Sequence, residues 1–220
     1  MEHNIALSDM ELMTILDDGE DRVYYGCDQE WFIDPWQRLA GCGPTVASNI
    51  LMYQDRRALR GTGMLKSEML LNMNRAWQYI FPEKNGIAST GSFLKKVGDF
   101  AEANNLALRS RSLDIGEETD TRPKMAEVVA FIQGSLESEL PVAFLNLCNG
   151  SVVNLDKWHW VTICQLAYDE DLSRIGATIC DEGEMKVIDL KLWLETTTLG
   201  GGFASFTVEK RDRILSEKTG

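Results

Sequence analysis

The stretch Trp36–Tyr53, WQRLAGCGPTVASNILMY, sets Cys42 between two glycines and carries the chain at once through Pro44 into an apolar, helical pattern. Pro44 suits the first turn of a helix, where its missing N–H costs nothing. Val46, Ala47, Ile50 and Leu51 recur at helical spacing. The pattern predicts a helix from about Pro44 to Leu59, with Cys42 at its start. A cysteine that only fills space belongs in the middle of an apolar face. One at a helix N-terminus meets unsatisfied N–H groups and the positive end of the macrodipole, both of which favour negative charge. Such a thiol is biased towards thiolate, the nucleophilic form. Gly41 and Gly43 are expected to leave the sulfur uncovered, and the Cys42 N–H to face a substrate carbonyl.

A thiolate used as nucleophile needs a base, and the chain has two histidines. His3 lies in an N-terminus expected to fray. His159 opens KWHWVTIC as a strand, with His159, Val161 and Ile163 on one face and Trp158, Trp160 and Thr162 on the other. His159 is therefore the candidate base. An imidazole in that role needs a third group to fix its tautomer and orientation. ATICDEG, on the following strand, offers Asp181 and Glu182, and Asp181 is the better placed because it ends the apolar run beside a glycine turn. Charge developing on a carbonyl oxygen also calls for a donor. Gln37, just before Cys42, is the candidate, with Gln29 as the alternative, and Trp31 and Trp36 are expected to wall the pocket.

Composition narrows the classes. The 220 residues fit one domain of two lobes, and 44% hydrophobic with 25% charged residues is an ordinary globular balance. A net charge of -12 argues against nucleic acid and against an anionic membrane surface as partners. No apolar run approaches the roughly 18 residues of a membrane span, and the N-terminus lacks the basic and apolar regions of a signal peptide. A cytoplasmic location is expected. Five scattered cysteines, an odd number, suggest free thiols in a reducing compartment. Cys27, Cys148, Cys164 and Cys180 read as small buried hydrophobes. Without C-x-x-C or H-x-x-x-H spacing, neither a metal site nor a cofactor is expected.

Ser8 with Glu11 reads as a capping box for a first helix ended by Gly19, and residues 22–41 as extended. Helices are expected over 61–82 and 89–105, where Met69 and Met73 mark a core stripe. After residue 105 the pattern turns to strands at 106–115, 142–147, 158–168, 174–181, 184–190 and 201–210. A helix at 124–139 and a short one near 191–197 interrupt them. Gly200–Gly202 precede a strand and read as a turn, not a phosphate loop. A helical lobe over about 1–105 and a sheet lobe over about 106–220 make an α+β protein.

QRLAGCGPTVASNIL, PVAFLNL, WHWVTI and ICDEG, in that order, resemble the papain-like cysteine peptidases, and most closely the C39-like group related to bacteriocin-leader peptidases. Members of that group carry Gln before a Cys-Gly-Pro helix start, a His-Trp-Val strand and an Asp-Pro-Gly on the next strand. The resemblance touches residues 37–183 in four pieces, and 54–139 carries no specific motif. It implies a papain-like fold, Cys42 as nucleophile, His159 as base and acid, Asp181 as orienting residue and Gln37 as oxyanion donor. Glu182 stands where Pro is usual, and the Gln37–Cys42 spacing is one residue shorter than in papain. The function expected is hydrolysis of a peptide or isopeptide amide through a thioester. An acyl or peptidyl transferase of the same fold, or an inactive binding module, is the alternative.

Overall fold

Alternation along one strand sets the layers. In the computed structural model, which describes residues 1–61 and 63–211, β6 (Val142–Asn146) is buried on both faces. Val142 and Phe144 join one apolar cluster, and Ala143 and Leu145 the other. A strand buried on both sides belongs at the centre of a sheet covered on both faces. On one face lie α2 (Cys42–Leu59) and α4 (Thr90–Ala103), which supply Val46, Ile50, Phe93 and Val97. On the other lie α5 (Met125–Glu137) and α6 (Leu190–Thr196), which supply Val128, Ile132, Leu190 and Trp193.

The sheet runs β5 (Leu106–Ile115), β10 (Gly201–Lys210), β6, β7 (His159–Asp169), β8 (Ile175–Asp181), β9 (Glu184–Asp189), with every neighbouring pair antiparallel. The architecture is mixed α+β. The strands expected after residue 105 and the helices at α4, α5 and α6 form as the periodicity dictates, as does α3 (Lys66–Trp77), whose Met69 and Met73 are fully buried. No helix among the described residues is long and apolar enough to cross a membrane.

Three features differ from the local reading. The helix expected from Ser8 to Gly19 does not form. The chain instead makes β1 (Glu2–Ala6), a single 3-10 turn over Met10–Met13, and β2 (Thr14–Leu16). The anticipated cap is spent elsewhere, because the Ser8 N–H donates to the Glu139 carboxylate at 3.2 Å. β1 pairs with the outer half of β7, and β2 joins β3 (Val23–Tyr25) and β4 (Met64–Leu65) in a small second sheet. Long-range pairing here overrides a local capping signal.

His3 is consequently held in β1, stacked on Tyr168 with ring centroids 4.8 Å apart, at the end of β7 remote from His159. Third, α1 (Pro35–Ala40) forms inside the segment read as extended. Asp34 caps it by accepting from the N–H groups of Trp36 and Gln37 at 2.8 and 3.2 Å, and Pro35 occupies its first turn. Asp-Pro was a helix-start signal in plain view.

Candidate active site

α2 starts on Cys42, with Gly41 as N-cap and the Thr45 N–H bonded to the Gly41 carbonyl at 3.0 Å. The glycines answer to packing more than to access. A Cβ on Gly41 would run into the Gln37 carbonyl oxygen and come within 2.8 Å of the Phe32 ring, and one on Gly43 would lie 2.7 Å from Ile87 Cδ1. Gly41 has no room for a side chain, whereas at Gly43 only the tip of Ile87 would have to move.

His159 is the first residue of β7 and Asp181 the last of β8, so the antiparallel pairing of the two strands brings them to the same end. His159 Nε2 and Asp181 Oδ1 are 2.7 Å apart. That bond leaves Nδ1 as the free ring nitrogen, and the Cys42 sulfur, in the same crevice, is near enough to raise the imidazole's pKa. The second oxygen of Asp181 accepts from Lys186 Nζ at 3.2 Å, and the same ammonium holds Glu182 at 2.7 Å. Sequence reasoning missed Lys186. Its only signal was a lysine on the return strand of a tight hairpin that begins at Asp181.

That hairpin also accounts for Glu182. Its two central residues, Glu182 and Gly183, have φ of +53° and +74°, and Asp181 pairs with Glu184 across it. A two-residue turn with both φ positive matches the twist of the strands. Proline, with φ fixed near −65°, cannot take the first of those positions.

The electrostatics of the pair run together. Burial pushes the Asp181 carboxyl up, but the hydrogen bond and charge of His159, joined by Lys186, hold it below the usual carboxylate range. Burial pushes the His159 imidazole down, but the hydrogen bond to Asp181 and the neighbouring Cys42 sulfur outweigh it and raise the pKa to about 10. A folded-state pKa raised from 6.5 to about 10 stabilises the fold fully below pH 6.5, and that stability is lost as pH rises towards 10. Urea midpoints across that window are expected to fall with pH in the wild type and to fall less in Asp181→Asn. Parallel slopes for the two proteins would remove the His159–Asp181 pair from the account.

The two glutamines part company. Gln37 turns its amide towards Asn74 of α3, with Nε2 3.5 Å from Asn74 Oδ1. Gln29, in the 3-10 turn Gln29–Trp31, lines the crevice that holds Cys42, His159 and Asp181. Its Nε2 donates to the Arg38 carbonyl at 2.8 Å, and its buried Oε1 has no partner. The Arg38 carbonyl can only accept, so it fixes which end of the amide is nitrogen, and the second N–H of that nitrogen stays unspent. The structure thus brings Cys42, His159, Asp181 and Gln29 together and leaves Gln37 outside. Trp31 is drawn away as well, edge-on to Tyr24 at 5.0 Å, whereas Trp36 lines the groove beside Cys42.

Asn49, unremarked in the sequence, ties α2 to β7. It is 1% exposed, accepts from the Cys27 N–H at 2.7 Å and donates to Thr162 Oγ1 of β7 at 3.1 Å. Asn49→Ala strands a buried N–H, and is expected to cost about 2–3 kcal/mol of stability. Denaturant titration measures it, and a loss below about 0.5 kcal/mol would show that the link is dispensable.

All five cysteines are free. Cys27, Cys164 and Cys180 are buried, as expected, and burial raises the Cys27 thiol while the hydrogen-bonded Cys164 sulfur, and then burial, raise Cys180. Cys148 is a correction: it is half-buried, and the Thr198 hydroxyl, 3.2 Å from its sulfur, and backbone N–H groups of Thr198, Gly150 and Leu199 lower its pKa to about 7. Iodoacetamide at neutral pH should therefore label Cys42 and Cys148 in the folded protein, and the other three only on unfolding. Peptide mapping reads the sites, and equal labelling of all five would deny Cys42 any special reactivity. Among the described residues, no group of three or more His, Cys, Asp or Glu side chains is arranged to hold a metal ion.

No protein-family model matches the chain, and no curated protein matches its sequence.

Proposed function

We propose that the protein is a papain-like cysteine hydrolase that cleaves a peptide or isopeptide amide. One observation carries the proposal: a thiol at the start of an 18-residue helix shares one crevice with an imidazole whose Nε2 is 2.7 Å from a buried carboxylate. In this reading the Cys42 sulfur attacks the amide carbonyl carbon, and the oxyanion is met by the Cys42 N–H and the Gln29 amide. The protonated His159 gives its proton to the departing nitrogen as the C–N bond breaks, leaving a thioester on Cys42. His159 then takes a proton from water, whose oxygen attacks the thioester carbonyl, releasing the acid and restoring the thiol. Asp181, itself held by Lys186, stabilises the imidazolium and fixes its orientation throughout. Five free thiols suit the reducing cytoplasm as the place of work.

The test is a mixed peptide library incubated with wild-type and Cys42→Ala proteins, with new amino termini identified by mass spectrometry. Cleavage by the wild type alone supports the proposal, and equal cleavage or none by both refutes it. Capture of the acyl group by an added primary amine in preference to water would move the assignment to acyl transfer.

A further inference from the structure

Trp158 is in an unexpected state. Its φ is +54°, in the left-handed region where glycine and asparagine are at home and a bulky side chain is strained. Packing does not offset that strain: the residue is 57% exposed and belongs to neither buried cluster. A chain that needed only a turn into β7 would be served better by glycine. Trp158 also immediately precedes His159, and its indole lines a groove of about 550 Å³ that opens on Cys42.

Most of the rest of that groove is apolar. Trp36 and Leu39 of α1 are 47% and 75% exposed, although both are large and apolar. Ile87 and Leu147 line it beside them, and the buried Trp160 is anchored by its indole N–H to the Ile87 carbonyl at 2.8 Å. The volume falls within the range of small-ligand pockets, roughly 300–1,000 Å³. Lys84 is the one charged residue of the lining, so a cationic side chain entering it meets a like charge. Exposed aromatic surface concentrated beside a nucleophile marks a binding surface more than a solvated one.

We infer that Trp158 is a specificity residue which, with Trp36, receives a large apolar side chain of the substrate next to the bond attacked by Cys42. The inference rests on the hydrolase reading. It is tested with acetyl-phenylalanyl, acetyl-glycyl and acetyl-lysyl chloromethyl ketones, in which the Cys42 sulfur displaces chloride, forming a C–S bond and releasing chloride ion. Each rate, followed at Cys42 by mass spectrometry, is divided by the iodoacetamide rate on the same protein. The phenylalanyl compound should exceed both others by on the order of tenfold or more. Trp158→Asn should bring the phenylalanyl-to-glycyl ratio close to one while melting at or above the wild-type temperature, because it relieves the backbone. Trp36→Ala, on the exposed face of α1, should reduce the same ratio. A Trp158→Asn protein that melts well below wild type with its ratio unchanged would make Trp158 a structural residue and overturn the inference. Alkylation of Cys42 with no preference among the three would refute the groove and leave the nucleophile standing. Failure of every reagent, iodoacetamide included, at Cys42 would take the hydrolase reading down with it.

Discussion

Cys42→Ala is expected to reduce amide turnover by on the order of 10⁵–10⁶-fold while leaving the melting temperature nearly unchanged. In the proposed mechanism the sulfur is the atom that forms the bond, so no neighbour can take over its part. Structurally the thiol contributes little. Cys42 is only half-buried, at the mouth of a groove, and α2 is anchored further along by Val46, Ile50 and Asn49. Losing it should cost less than about 1 kcal/mol. Cys42→Ser is the sharper variant, since it keeps the volume. A hydroxyl is a far weaker acid and a poorer nucleophile than a thiol, so serine should be nearly as inactive as alanine. Turnover within tenfold of wild type in either variant would assign the chemistry to another group.

Asp181→Asn carries the second-largest expected effect, a drop in kcat on the order of 10²–10⁴-fold. The amide can still accept from His159 Nε2 through its oxygen, but it no longer stabilises the imidazolium. Its NH₂ must then turn towards Lys186 Nζ, which now approaches Oδ2 at 3.2 Å, and two donors will face each other. With the carboxylate gone, burial dominates and the imidazole pKa falls from about 10, so the activity optimum should contract on its alkaline side. Glu182→Gln supplies the comparison. Glu182 touches Lys186 and not His159, its side chain is 52% exposed, and its loss should change kcat less than about fivefold. A larger loss in Glu182→Gln than in Asp181→Asn would reverse the roles of the two carboxylates.

What was legible in the sequence and what was not follow different physics. Cys42, His159 and Asp181 could be read because each sits at an element boundary that local pattern defines. Cys42 stands where proline and apolar spacing begin a helix, His159 where an alternating run starts, and Asp181 where one ends at a glycine turn. An antiparallel neighbour then brings the start of β7 to the end of β8, as the register of Thr162 with Cys180 requires. The α+β character was legible for the same reason, since helical periodicity gives way to alternation after residue 105.

The positions of Gln29 and Gln37 were decided in three dimensions. Proximity in sequence favoured Gln37, but α1 coils that stretch and turns the side chain towards α3, while the 3-10 turn at 29–31 returns Gln29 to the crevice. Lys186, Asn49 and the Trp36–Trp158 groove belong to the same class. Each acts through a partner distant in the chain or on another element, and no local periodicity encodes which faces meet. The sequence alone determined the elements and the chemical character of their ends, because backbone propensity and side-chain period are local properties. The tertiary structure alone decided which amide, cation and aromatic surface surround the thiol, because burial and long-range pairing select among local alternatives of nearly equal free energy, as β2 does inside the segment where a capping box signalled a helix.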